Sequence, residues 1–202
     1  MKIAVYGSTG MIGSRVAAEA LARGHEVTGI TRAGGEQPAS VRAVQGDAGD
    51  AALAKRIAAE VDVVVSAIGP SRTGGEPRDF LTQVRNLADT AGDARLVVVG
   101  GAGSLLVDGA HLVDAPYFPE EYRVEALVVA EALDLLRGLG DGIDWTYLSP
   151  PPMIAPGERT GAYEIGADSP AGESVSAEDF AVALLDEIEK AAHRRTRFTV
   201  AH

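Results

Sequence analysis

Strand-length apolar runs alternate along the chain with longer stretches whose apolar residues recur at helical spacing. The runs are Ile3 to Tyr6, Val27 to Ile30, Val41 to Gln45, Val61 to Ile68, Leu96 to Val99 and Asp144 to Ser149. Val61 to Ile68 is almost unbroken, as expected of a central parallel strand covered on both faces. Between the runs, Val16, Ala17, Ala20 and Leu21 mark a helix over 13–24, and a second is predicted over Asp50 to Glu60. Leu81, Val84, Leu87 and Ala88 line one face of a third, Phe80 to Ala91; a fourth starts at Pro119. Ser176 followed by Asp179 reads as a capping box for the last helix, and Arg197 to Val200 supplies a final strand. Six β/α alternations predict one α/β domain with a doubly wound parallel sheet and right-handed crossovers. Ligands of such sheets sit at the carboxyl ends of the strands, so Gly7, Arg32, Asp47, Ala67, Gly69 and Ser104 are expected in one crevice.

The most informative junction is the first. Ile3 to Tyr6 stops at Gly7, and glycines recur at 10 and 13 before the helix that Gly24 ends. Such a turn aims the free first-turn amides and positive dipole end of its helix at whatever lies above the strand, an arrangement suited to a pyrophosphate. Gly7 permits the tight turn, Gly10 removes a Cβ that would keep phosphate off the backbone, and Gly13 allows close helix–strand packing. Thr9, Met11 and Ile12 complete the predicted contacts. The second strand then delivers Thr31 and Arg32 to the adenine ribose, where an acid would accept a 2′-hydroxyl and an arginine accommodates a 2′-phosphate. NADP is therefore the expected cofactor, with NAD as the alternative.

Composition changes the picture by exclusion. The 202 residues are 46% hydrophobic, enough for one sizeable core, with no linker or low-complexity stretch. Net charge is −11, which disfavours nucleic acids and anionic membranes as partners. There is no cysteine, hence no disulfide or thiolate metal site, and no His/Asp/Glu spacing suggests a metal. No basic segment followed by a long apolar one opens the chain, and no 18-residue apolar run occurs, so a cytoplasmic monomer or homodimer acting on a small molecule is expected.

With these motifs the sequence resembles the atypical branch of the short-chain dehydrogenase superfamily, small NAD(P)H-binding proteins that include NmrA-like sensors and biliverdin/flavin reductase-like enzymes. PGERTGAYEIG and SAEDFAVALLDEIE extend the likeness over essentially the whole chain. The resemblance implies a Rossmann-like fold, an adenine contact by Asp47, which as an alternative caps the helix after it, and Ala67-Ile68-Gly69 lying along the cofactor. It places substrate at about 104–120 and 150–175, including Pro150-Pro151-Pro152 and 156–161. Arg159 in that loop reads as an anion contact or, more in keeping with so acidic a chain, as a solvated or ion-paired side chain. The superfamily's serine and Tyr-x-x-x-Lys pair are only half present. Ser104 stands at the strand end, but Tyr122 is followed four residues on by Ala126, and Tyr117 by Glu121. Ser104, Tyr122 and His111, the last by residue type a possible proton donor, are the catalytic candidates. Three functions remain: an NADPH-dependent reductase of a flavin, quinone or similar acceptor, a non-catalytic NADP sensor, and a sugar-nucleotide epimerase or dehydratase.

Overall fold

The computed structural model describes residues 1–71 and 74–202. The first unit is β1 (Lys2–Tyr6), α1 (Met11–Ala22) and β2 (Glu26–Thr31), followed by β3 (Val41–Gln45), α2 (Ala51–Ala58), β4 (Val63–Ser66), α3 (Asp79–Thr90) and β5 (Arg95–Val99). A two-strand hairpin, β6 (Leu106–Val107) and β7 (Ala110–His111), leads to α4 (Glu120–Arg137) and β8 (Trp145–Ser149). The remainder is β9 (Met153–Ala155), β10 (Glu164–Gly166), β11 (Ser174–Ser176), α5 (Ala177–Lys190) and β12 (Thr196–Ala201).

The main sheet runs β10-β12-β8-β5-β4-β1-β2-β3, parallel throughout except for β10, which pairs antiparallel with β12 at one edge. The strand order reverses between β1 and β4, where crossovers leave in opposite directions and open a crevice. Helices α1 and α5 cover one face, packing Val16, Ala20, Phe180 and Leu184 against Val5, Val65 and Phe198. On the other face, Leu53 of α2, Phe80 and Val84 of α3 and Leu133 of α4 meet Tyr6, Val64, Leu96 and Tyr147. Strands enclosed on both sides have no solvated face, which is why β1, β4 and β5 read as unbroken apolar runs.

α1 ends as its glycine predicts. Gly24 adopts φ +81°, and the amides of Gly24 and His25 close on the carbonyls of Leu21 and Ala20 at 2.9 and 3.0 Å. The fourth strand is shorter than its apolar run: Val61 still bonds Ala58 in the exit from α2, while Ala67 and Ile68 leave the sheet. Only half of the capping box forms. Ser176 Oγ accepts from the Asp179 amide at 3.0 Å, but the Asp179 carboxylate, fully buried, accepts from the amide and hydroxyl of Thr160 and the amide of Gly161. Among the described residues, no helix is long and apolar enough to cross a membrane.

Candidate functional site

Close packing forces the shape of the glycine turn. A Cβ on Gly7 would stand 2.6 Å from the Ala67 carbonyl at the end of β4, in a backbone conformation (φ +80°) that side chains rarely tolerate. A Cβ on Gly13 would overlap the Gly7 carbonyl, so this position sets how closely α1 approaches β1. Gly10 differs from both. It is the N-cap of α1 in an ordinary extended conformation, and its Cβ would meet only the Gly7 carbonyl, at 3.3 Å. The space above it is therefore open for a ligand. No side chain caps α1 and no acid lies in its first turn, which leaves the first-turn amides and the positive end of the helix for an anion.

A second strut holds this turn. Ser8 is buried, and its hydroxyl donates to Gln37 Oε1 at 2.7 Å, while Gln37 Nε2 donates to the Gly29 carbonyl at 3.4 Å. A Cβ on Gly29 would overlap the Gln37 amide, so this glycine, interrupting β2, makes room for the side chain. The loop after β2 is thereby tied to the glycine turn.

A trough crosses the carboxyl ends of the strands. Its smaller end, about 350 Å³, is lined by Gly7, Thr9, Gly10, Arg32, Asp47 and Gln83, among others. The larger end, about 740 Å³, begins at Met11 and Ile12 and runs to Pro150–Pro152 and Ile154. Ala67, Ile68, Gly69 and Phe80 line both, so the two ends are continuous. Of the predicted cofactor contacts, Gly13 alone lies behind the trough, packed under the turn.

At the smaller end the roles of two aspartates separate. Asp50, not Asp47, caps α2, accepting from the Leu53 amide at 3.0 Å. Asp47 Oδ1 accepts from the Gly49 amide at 2.7 Å and from Gln83 at 3.3 Å, which places its carboxylate in the wall. Arg32 is exposed at the same rim. The Tyr6 hydroxyl is buried there without a partner among the described residues; burial, then Asp50, pushes its pKa up to about 12, so it stays a neutral donor. These groups fit the adenosine end of a dinucleotide, with the pyrophosphate on α1.

The catalytic candidates do not stay together. Ser104 falls in a one-turn 3₁₀ segment, Ala102–Ser104, that turns its buried hydroxyl to Arg197 Nη1 at 3.4 Å while Gly101, Ala102 and Gly103 line the cavity. Its expected place in the crevice is corrected accordingly. His111 is exposed on the β6–β7 hairpin, and its neighbour Leu112 takes the place in the wall. Tyr122 does line the larger end, half exposed at the start of α4, with Tyr117 beside it. The chain's three lysines, Lys2, Lys55 and Lys190, are all absent from this wall. Tyr147 passes over Gly100, donates to the Val129 carbonyl at 2.8 Å and, fully buried, has its pKa raised by desolvation. It is a strut.

The segment 156–161 belongs to the opposite face, contrary to the sequence expectation. Arg159 makes a two-bond ion pair with Glu19 of α1, both contacts at 2.8 Å, and this holds the Glu19 carboxyl below the usual carboxylate range. Glu178 of α5 accepts from the Gly157 amide at 2.7 Å. The prolines and Ile154 reach the cavity; the following residues form a strap across α1 and α5. Leu112, Phe118 and Ile154 fall within the segments expected on the substrate side, though none was singled out, while Val129, Ser8 and Gln37 were not named. For the last pair the detectable signal was a glycine inside β2.

The chain matches the model of the NAD(P)H-binding family over residues 7–191. It is 40% identical to an uncharacterised protein, YwnB, of Bacillus subtilis (strain 168), over 99% of this chain and 98% of that protein. A solved structure from Burkholderia pseudomallei, of a protein named provisionally as exported, is 41% identical with TM-score 0.87, each chain fully covered. That of a candidate NADH-flavin reductase from Streptococcus pneumoniae is 33% identical with TM-score 0.88, covering all of this chain and 99% of the other.

Proposed function

On the premise that the chain belongs to the NAD(P)H-binding family, within the atypical short-chain dehydrogenase-like group, we propose that it is an NADPH-dependent reductase of a small conjugated acceptor such as a flavin or quinone. One observation carries the reading: the cofactor trough opens without interruption into an apolar cavity of about 740 Å³, large enough for an acceptor beside the nicotinamide. A pure sensor has no need of that second space.

The cofactor supplies a hydride, and the protein's share is placement. The α1 amides would hold the pyrophosphate, Arg32 the 2′-phosphate, and Asp47 the adenine. Ala67, Ile68 and Gly69 keep the floor low between the two ends, while Pro150–Pro152 and Phe118 exclude water from the acceptor side. Acceptor, NADPH and one proton give reduced acceptor and NADP⁺. That proton enters from solvent at the open mouth, where Tyr117 and Tyr122 are exposed, so no tyrosine–lysine pair is required. Carbonyl reduction, which needs a strong general acid, fits this wall poorly.

The test is oxidation of NADPH against a panel of flavins and quinones, with calorimetric titration of NADPH and NADH in parallel. Tight NADPH binding with turnover of at least one conjugated acceptor is the expected result. Tight binding with no turnover of any of them would make the protein a sensor instead.

A further inference from the structure

Resting on the reading that the trough holds a nicotinamide dinucleotide, we infer that Gln83 is a specificity-determining residue: with Asp47 it forms a pair of acceptors that selects a 6-amino purine and rejects a 6-oxo one. The acceptor cavity claims the nicotinamide half, so the purine half falls at the smaller end of the trough, where Asp47 and Gln83 both line the wall. Gln83 Nε2 donates to Asp47 Oδ1 at 3.3 Å. A carboxylate only accepts, so this contact fixes which end of the Gln83 amide faces Asp47 and leaves its carbonyl oxygen as an acceptor. Among the described residues the second donor to Asp47, the Gly49 amide at 2.7 Å, also falls on Oδ1. Oδ2 remains for a ligand. The pair therefore offers one oxygen from each side chain, and an exocyclic amino group brings two hydrogens.

The surrounding chain keeps the two side chains together. Gln83 and Asn86 stand three apart on α3 and so share a face. Asn86 Nδ2 donates to the Ala48 carbonyl at 2.6 Å, which ties the loop after β3 to α3 at two successive residues. Gly49 leaves the room they need: a Cβ there would stand 3.0 Å from Asp47 Oδ1 and 3.9 Å from Gln83 Cγ. The pair is thus set before a ligand arrives. A purine carbonyl in place of the amino group would meet two oxygens, leave both unpaired and add repulsion. A site built around a ligand N–H rejects the analogue that lacks it far more strongly than an apolar pocket does.

Calorimetric titration of the full chain with NADP⁺ and with its hypoxanthine analogue, which carries oxygen in place of the 6-amino group, tests this. Wild type is expected to bind NADP⁺ at least about tenfold more tightly. Gln83→Leu, which keeps similar bulk, should narrow that ratio several-fold, with NADP⁺ bearing most of the loss. In Asp47→Asn the Gly49 and Gln83 donors should hold the new amide by its oxygen and turn its nitrogen to the ligand, so the ratio falls toward one or reverses. Thermal midpoints of the free proteins separate a folding defect from a change in selectivity, and should Gln83→Leu fail to fold, wild type and Asp47→Asn decide by the same ratio. Equal binding of the two ligands by wild type, an unchanged ratio in Asp47→Asn, or an equal loss of both ligands in Gln83→Leu, as a merely structural side chain would give, overturns the inference. Failure of wild type to bind NADP⁺ at all is a separate result, and would remove the function proposed above.

Discussion

The two ends of the trough are built by opposite means. The end proposed for the adenosine is backbone-made: Gly7, Gly10 and Gly13 fall within seven residues, and α1 presents uncapped amides to it. The end proposed for the acceptor is apolar and draws on segments far apart in sequence: Phe80 of α3, the stretch from Leu112 through Val129 of α4, and the 150–154 turn. Geometry that must match a fixed pyrophosphate is set locally by strand, turn and helix. A space for a ring needs only shape and dryness, which packed side chains from distant segments can supply.

If that contrast holds, the largest effect belongs to the backbone-made end. Gly10→Val should weaken NADPH binding on the order of a hundredfold or more by filling pyrophosphate space. Its Cβ meets only one carbonyl, at 3.3 Å, so circular dichroism and the thermal midpoint should stay close to wild type. Unchanged cofactor affinity in this variant would break the assignment of the trough.

Next comes Arg32→Ala. Loss of a charge-assisted contact to the 2′-phosphate should cost about 1.5 to 3 kcal/mol, roughly ten- to a hundredfold in NADPH affinity, with NADH binding little altered. Titration of both cofactors at one ionic strength decides it, and equal losses for the two would show that Arg32 is not the selector.

Gln37→Ala should have a smaller effect, about two- to tenfold, on both cofactors alike, since it removes hydrogen bonds that position the turn through Ser8 rather than a ligand contact. A loss confined to NADPH would mean that the side chain acts on the 2′-phosphate directly.

The smallest effect is expected at the acceptor end. Tyr122→Phe should reduce kcat by less than about tenfold, below the losses typical of a general acid. Tyr122 is 51% exposed, with Ala126 where a lysine partner would stand. A larger drop with cofactor affinity intact would make Tyr122 the proton donor.

The same contrast explains what could be read from the chain. Sheet, crossovers and glycine turn were legible because each is a local pattern: apolar runs for buried parallel strands, glycines at fixed intervals, Gly24 at a helix end. Ser104 was misplaced because a three-residue turn after β5 rotates its hydroxyl toward Arg197, a partner 93 residues away. The strap at 156–161 was assigned to the substrate by resemblance, whereas the acids that hold it, Glu19, Glu178 and Asp179, lie on helices that only the folded chain brings beneath it. Gln37 sits in a loop without periodicity. β6, β7 and β9 to β11 have two or three residues each, too few to show alternation.

The central claim is that the two ends act together, one holding NADPH and the other receiving its hydride. It is tested most directly by mixing the protein with NADPH stereospecifically deuterated at the nicotinamide carbon that donates hydride, together with an uncharged naphthoquinone. The account predicts stoichiometric oxidation, with deuterium lost when one face carries it and retained when the other does, because the wall from Phe118 to Pro150–Pro152 presents the acceptor to a single side. Tight binding of NADPH without oxidation, or loss of label from both faces equally, would contradict it.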